Sequence, residues 1–539
     1  MKELSEYIRS CRDEPGPSAC RSRHEEVTMG HHVVECRRLI EKHEVDLVVM
    51  NTKDDDQLRC TASRTCSRSS CATSPCCCCL EGRDAPTPPS AAVTLLFAVL
   101  LAATDRRPAL EEKIHAKKSV ITSVAALVTL FLGDLFDLLP LGPVVNAAGE
   151  RIALPIYIPA IDWGVIAIIF GASLFVDATN KSGLFSYIAI RLTKSSGGDP
   201  FRLLFAYGLL TVLFSAVLNN VTAMLIVGSL TAVSLKKLGR SEKLLGFLLI
   251  EGLLTNVGGM LTLISSVPNI IVGRAAGIAF MKFFFIAGPY VAVATLGTLL
   301  FGARAFGVER LTTPEAKKRA AAQVAGFDEN DGIESARVFW FSVVAFVAFI
   351  GVLAATPVIP VIRDLDMGYV ALLFAGIALL RFKNSVDRFY AALDWDLLLF
   401  FASLFVVIHV MEHAGVLDLI GRGIGAVIGL GPRAGSAALL VASAGASSVT
   451  DNIPLAAVLA KILSGMHGHA TPGMWWAVVF GANLGGNITP IGSASTVVAA
   501  TIMQKHGVGV SFVRFVKLAL PYAAFQIALA IVYVLLFVR

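Results

Sequence analysis

Two stretches of this chain set amides, hydroxyls, paired glycines and acids inside otherwise apolar runs. The first begins SAVLNNVTAMLIVGSL at Ser215 and continues, after a basic loop, as LLIEGLLTNVGGMLTLISSVPN, ending at Asn269. The second reads SSVTDNIPLAAVLAKIL from Ser447, then WWAVVFGANLGGNITPIGSAST, ending at Thr496. Hydrocarbon tolerates such residues badly, because an unpaired polar group there costs several kcal/mol; they persist where they are buried in protein or line a wet cavity. Asp451 is the first candidate. A carboxylate in a membrane is a functional hypothesis by default, as a cation ligand or a proton carrier, while the bland alternative is that it caps a helix end. Asn220 and Asn452 both donate and accept, which suits a place where an ion and a substrate meet. The pairs Gly258-Gly259 and Gly485-Gly486 let backbones approach closely. Glu251, five residues before Asn256, is a second candidate proton carrier, with a structural hydrogen-bonding role as its alternative. Thr262, Ser265, Ser266, Thr489, Ser493 and Thr496 add hydroxyls that either join the site or satisfy freed backbone groups.

The two stretches are copies. Ser215, Val217, Asn219 and Asn220 fall opposite Ser447, Val449, Asp451 and Asn452 at one constant offset. Asn256, Gly258, Gly259, Thr262, Ile264 and Ser266 fall opposite Asn483, Gly485, Gly486, Thr489, Ile491 and Ser493 at another, the change falling in the intervening loop. The repeat extends upstream, where IDWGVIAIIFGASLFVDATNKSGLF from Ile161 matches LDWDLLLFFASLFVVIHVMEHAGVL from Leu393. The Asp-Trp pairs that open these segments read as interfacial, with tryptophan at headgroup level and aspartate capping the helix that follows. Broken hydrophobic segments at matching places in two halves are the best sequence pointer to a transporter's binding site.

Of 539 residues, 55% are hydrophobic and 16% are charged. Soluble domains carry about 25% charged residues, so the expectation is an all-α polytopic membrane protein. The net charge of +6 is spread over short loops, which argues for topology signals and against a nucleic-acid partner. All ten cysteines lie between Cys11 and Cys79, so the apolar body has neither a disulfide nor a thiolate metal site.

Residues 1–58 read as a soluble αβ fragment, with an amphipathic helix and a strand at Asp46 to Met50 that resemble a universal stress protein domain. Residues 59–118 are a Cys, Ser, Arg and Pro-rich tract and linker; the tract is expected to be disordered or out-of-frame sequence. Residues 119–302 form the first repeat, 303–337 a basic linker placed in the cytoplasm by the positive-inside rule, and 338–539 the second repeat. Candidate spans include Ile152 to Val176 and Val416 to Leu430. Runs longer than a single span, such as Phe201 to Val233, Leu244 to Val272, Gly435 to Leu463 and Met474 to Met503, are expected to be re-entrant hairpins or broken helices. Ten to twelve spans are expected. His409 and His413 stand four residues apart with Glu412 between them. With no third His or Cys at suitable spacing, the cluster reads as a helix end, and no metal or other cofactor is expected.

The motifs LNNVTAMLIV, TNVGGMLTLISSVPNIIVG, LDWDLLLFFASLFV, VTDNIPLAAVL and GANLGGNITPIGSAST resemble the ion transporter superfamily. Within it the chain is similar to the citrate-transporter-like permeases, grouped with ArsB-type arsenite pumps, NhaD-type antiporters and the melanosomal P protein. The resemblance covers roughly Ser119 to Arg539. It implies two inverted repeats, each with a re-entrant hairpin and a discontinuous helix whose tips meet near the membrane centre. It carries the polar breaks onto Asn219, Asn220 and Thr222 and onto Asp451 and Asn452. The glycine-rich breaks carry onto Asn256, Gly258 and Gly259 and onto Asn483, Gly485, Gly486 and Asn487; Asn269 and Thr489 complete the expected ion or substrate set. The Ser-Asn-Thr of the dicarboxylate symporters is absent, and Asn219-Asn220 stands where antiporters carry Asp-Asn.

No Walker loop, GxSxG or HExxH occurs, so ATP drive and hydrolysis are not readable and no enzyme is expected. The expected function is a secondary active transporter of the plasma membrane moving an ion or small anion, coupled to sodium or protons, with anion symport or efflux ahead of sodium/proton antiport. A channel-like conductor or a membrane sensor is the alternative of another class. The expected partners are the solute, the lipid bilayer and a second copy in a homodimer.

Overall fold

The computed structural model describes residues 47–50, 59–62, 89–105, 117–139, 144–145, 151–152, 154–330, 332–333, 335–466 and 470–538. The chain divides into two compact units, Met1–Thr87 and Pro88–Arg539, and each is taken by itself. In the first, β1 (Leu47–Met50) pairs antiparallel with β2 (Arg59–Ala62), Leu47 opposite Ala62. The expected strand is therefore present, and the first residues of the cysteine tract form its partner. The preceding helix and residues 63–88 of that tract lie outside the described residues.

The second unit is helical. A first helix α1 (Ala91–Asp105), at 15 residues, is too short to span. Helix α2 (Lys118–Leu135) follows. The first half then runs through α3 (Trp163–Asn180), α4 (Leu184–Ser195), α5 (Pro200–Ser215), α6 (Asn220–Lys237), α7 (Leu244–Gly258), α8 (Val267–Ala275) and α9 (Phe280–Ala305). A linker helix α10 (Pro314–Ala325) leads to α11 (Ala336–Ala355), α12 (Pro360–Arg381) and α13 (Val386–Ala392). The second half is α14 (Trp395–His413), α15 (Val416–Ile428), α16 (Pro432–Ser447), α17 (Asn452–Gly465), α18 (Pro472–Gly485), α19 (Ala494–Lys505) and α20 (Phe512–Phe537). From α3 to α9 and from α14 to α20 the helices correspond one to one, ending in both cases in a helix of 26 residues.

The correspondence reaches local detail. Asp162 Oδ1 accepts from the backbone N–H groups of Gly164 and Val165, and Asp394 Oδ1 from that of Leu397, so both aspartates cap as expected. Trp163 Nε1 donates to the carbonyl of Ile158, and Trp395 Nε1 to that of Tyr390. Gly183 and Gly415 take left-handed backbone at the starts of α4 and α15, with φ of 82° and 71°. The halves are interleaved, because α2 packs on α14 of the second half and α12 on α3 of the first. Gly171 of α3 sits so close to α12 that a Cβ there would lie 2.5 Å from the Ala371 carbonyl carbon.

Six described helices are long and apolar enough to cross a membrane (α2, α3, α9, α11, α14 and α20), or seven if the pair α12 and residues 383–392, bent by 93°, is one span. Phe131, Trp340 and Val347 on these helices are 63–69% exposed. Side chains of that size facing water would be costly, so these faces suit hydrocarbon. The four overlong runs are broken, at 216–219, 259–266, 448–451 and 486–493. Two sequence expectations need correcting. The run from Ile152 does not start a span, because Pro155 lies in irregular backbone and Pro159 in a single helical turn, Tyr157–Ala160, and α3 begins only at the Asp162 cap. Val416 to Leu430 is a helix of 13 residues, short of the ~20 a span needs; its Asp418 and Arg422, like Arg191 and Lys194 on α4, mark an amphipathic helix.

Candidate functional site

Each break ends one helix on a glycine pair and begins the next with a turn-forming residue. Helix α7 stops at Gly258 and α8 restarts with Pro268 in its first turn. In the second half α18 stops at Gly485, and Ser493 opens α19 by accepting from the backbone N–H of Thr496. The hairpin tips are capped the same way. Asn219 Oδ1 accepts from the Thr222 N–H at 2.8 Å, and Asp451 Oδ1 from the Ile453 N–H at 3.3 Å.

Hydroxyls then fasten each tip to the break beside it, in the same manner in both halves. Ser215 Oγ donates to the carbonyl of Thr255 and Ser447 Oγ to that of Ala482, both at 2.6 Å. Thr262 Oγ1 donates to the Ala216 carbonyl at 2.5 Å, and Thr489 Oγ1 to that of Ser448 at 2.6 Å. Asn269 Nδ2 bridges the carbonyls of Gly259 and Thr262, which the helix break has freed. The tips can come this close because of the glycines: a Cβ on Gly258 would lie 2.6 Å from Val212 Cα, and one on Gly485 2.6 Å from Ser447 Cβ.

The two breaks meet each other through a matched pair of bonds. Asn256 Nδ2 donates to Ser493 Oγ, and Ser266 Oγ donates to Asn483 Oδ1, each at 2.9 Å. Asn483 Nδ2 also donates to Asn269 Oδ1, and Asn256 Nδ2 to Asn487 Oδ1. Asn220 Nδ2 reaches Asn256 Oδ1 at 3.3 Å. Asn256, Asn269, Asn483 and Asn487 are fully buried. The junction is thus a cluster of neutral amides and hydroxyls joining residues far apart in sequence. With both donors and acceptors it can replace the hydration shell of an ion or of a small polar solute.

The expected carboxylates lie elsewhere. Asp451 sits at the tip of the second hairpin, part-exposed, with its Oδ2 paired to Lys118 Nζ at 3.3 Å. Asn452 beside it is buried. Glu251 is fully buried one helical turn and a residue before Asn256, its Oε1 accepting from Thr231 Oγ1 at 2.6 Å and its Oε2 without a partner among the described residues. Asn219 and Asp451 cap the hairpin tips, Thr222 supplies the backbone N–H that Asn219 caps, and Gly258, Gly259, Gly485 and Gly486 form the breaks. Sequence reasoning missed Gln526, whose Oε1 accepts from Asn487 Nδ2 at 2.8 Å and whose Nε2 donates to Thr298. Its signal was a single amide inside the apolar α20. Ser495, which donates to Asn256 Oδ1, gave no signal apart from its motif.

Comparison with known proteins agrees with this architecture. Residues 116–481 match the model of the citrate transporter family, CitMHS. An uncharacterized transporter of Mycobacterium tuberculosis is 32% identical over 69% of this chain and 86% of its own length. The P protein of Homo sapiens is 27% identical over 82% of this chain, which spans 62% of that longer protein. Among solved structures, Neisseria gonorrhoeae MtrF, described as illuminating a class of antimetabolite efflux pumps, aligns with a TM-score of 0.50 over 85% of this chain and 96% of its own. At 15% identity that likeness concerns the fold alone. The chain is a multi-pass membrane transport protein, not an enzyme, and it belongs to the citrate transporter family.

Proposed function

We propose that this protein is a secondary active transporter of the plasma membrane that carries an ion or small anion by alternating access, with the amide junction as its transport site. The observation that carries the reading is the reciprocal bonding of Asn256 to Ser493 and of Ser266 to Asn483, which places both broken helices at one buried point. We take the halves to be inverted repeats with ten to twelve crossings, counting hairpins and broken helices, and the linker 303–337 to be cytoplasmic. A site of amides and hydroxyls suits an anion or neutral solute, which donors and broken-helix N-termini receive. The backbone carbonyls freed at the breaks suit sodium. The driving force is a sodium or proton gradient, with anion symport or efflux ahead of sodium/proton antiport.

Glu251 supports the antiport reading as well, because its unpartnered oxygen inside the first half is the sort of group that takes up a proton. A sodium jump on everted vesicles with an internal pH dye separates the two. Anion movement without obligatory proton exchange leaves the dye unchanged by sodium alone, in wild type and in Asp451→Asn. A sodium-driven pH change that Glu251→Gln or Asp451→Asn abolishes would make the protein an antiporter centred on that carboxylate.

A further inference from the structure

The last turn of α14 carries His409, Glu412 and His413, at positions i, i+3 and i+4 of one helix face. Each offers a ligand atom, and the three lie within 4.8 Å of one another. Glu412 is therefore the third ligand that His and Cys spacing alone did not supply. The two rings lie side by side and tilted by 59°, with centroids 4.5 Å apart. Two features arrange them for coordination. His413 Nδ1 lies 2.9 Å from the His409 carbonyl, and as its donor that nitrogen leaves Nε2 as the free lone pair. An imidazole held to a carbonyl by its other nitrogen is the usual support of a metal ligand. His409 Nε2 is buried and has no hydrogen-bond partner among the described residues, a cost that a bound ion would remove.

His409 of the cluster lines a cavity of about 380 Å³ between the halves, together with Asp162, Arg274, Lys461 and Ser464 among others. Lys461 of α17 occupies the third ligand at present, its Nζ 3.0 Å from Glu412 Oε2.

We propose that His409, Glu412 and His413 form a regulatory site for a divalent first-row transition metal of the zinc class. Two imidazoles and one carboxylate leave a fourth position open towards the cavity. Ligand distances of about 2.0–2.2 Å require the three side chains to close on the ion by a rotamer adjustment. A divalent ion on Glu412 draws off the carboxylate's charge and repels the ammonium 3.0 Å from its Oε2, so loading weakens the hold of α14 on Lys461. Lys461 lies on the helix that Asp451 and Asn452 begin, so occupancy unlatches the second hairpin from α14. The metal is a controller of that helix and not the transported solute.

The test is Zn²⁺ titration of the tag-free full-length protein in detergent, its cysteines alkylated to silence the segment from Cys11 to Cys79, with a competing zinc dye as readout. Wild type binds one ion at this site. His409→Ala and His413→Ala each weaken binding tenfold or more, and Lys461→Met, which removes the competing cation and spares every ligand, tightens it several-fold. Co²⁺ in the same protein gives an absorption spectrum of nitrogen and oxygen ligation that the histidine variants lose. Histidine variants that bind Zn²⁺ as wild type does, or a Lys461→Met variant with unchanged affinity, overturn the proposal. The readout is binding, so it stands or falls apart from the identity of the transported solute.

Discussion

Replacing Asn256 with alanine is expected to lower gradient-driven transport by about 100-fold while the protein still inserts and elutes as a single species from a detergent column. The side chain accepts from Asn220 and Ser495 and donates to Asn487 and Ser493. Truncation leaves buried partners without bonds, at about 1–3 kcal/mol each. A loss of about 2.7 kcal/mol at the transport barrier already corresponds to 100-fold. Asn483→Ala should behave alike, because it severs the reciprocal bonds to Ser266 and Asn269. Asn219→Ala is the contrasting case. Asn219 is an exposed cap, so its loss should cost about 1 kcal/mol of stability and leave transport within a few-fold of wild type. Equal effects from all three would mean that the junction has only a structural role.

The second large effect is steric. Gly485→Ala would place a methyl group 2.6 Å from Ser447 Cβ and 2.9 Å from Ala444 Cα, and Gly258→Ala would place one 2.6 Å from Val212 Cα and 2.7 Å from Val212 O. Most of these neighbours are backbone atoms, which cannot rotate away, so overpacking of about 1–3 kcal/mol is expected at each site. Each variant should lower the thermal-shift midpoint by several degrees and slow transport by prising a hairpin tip from its break. Gly445→Ala provides the control. No atom of the described residues lies within 4 Å of a Cβ there, and alanine is the better helix former by up to about 1 kcal/mol, so its midpoint should hold or rise.

Much of this site was legible in the sequence, for a physical reason. Polar residues inside an apolar run need partners or a wet cavity, and the same pattern in two places points to a binding site. That reasoning marked the runs Phe201 to Val233, Leu244 to Val272, Gly435 to Leu463 and Met474 to Met503 as broken and singled out Asn256 and Asn483, while the family resemblance added Asn269 and Asn487. It also anticipated the Asp162 and Asp394 caps, since aspartate before an apolar helix has a local role. What it lacked was tertiary pairing. Asp451 reads as an isolated membrane carboxylate, yet Lys118, remote in sequence, stands beside it. Gln526 looks like an incidental amide in α20, and only the fold brings it to Asn487. The start of α3 was misplaced because apolar content continues through Pro155 and Pro159, where proline geometry ends regular helix. The amphipathic α15 passed for a span because hydropathy averages over the charged face that Asp418 and Arg422 supply.

The central claim is that the junction of the two breaks is the site through which solute passes. Its most direct test is counterflow in proteoliposomes loaded with unlabelled citrate, sulfate or arsenite and challenged with a trace of the same labelled solute outside. The account predicts transient, saturable accumulation of one of these solutes by wild type, abolished in Asn256→Ala and Asn483→Ala proteins that reconstitute to the same density. Flux that rises linearly with concentration and shows no counterflow, or accumulation that both asparagine variants keep at the wild-type rate, would contradict it.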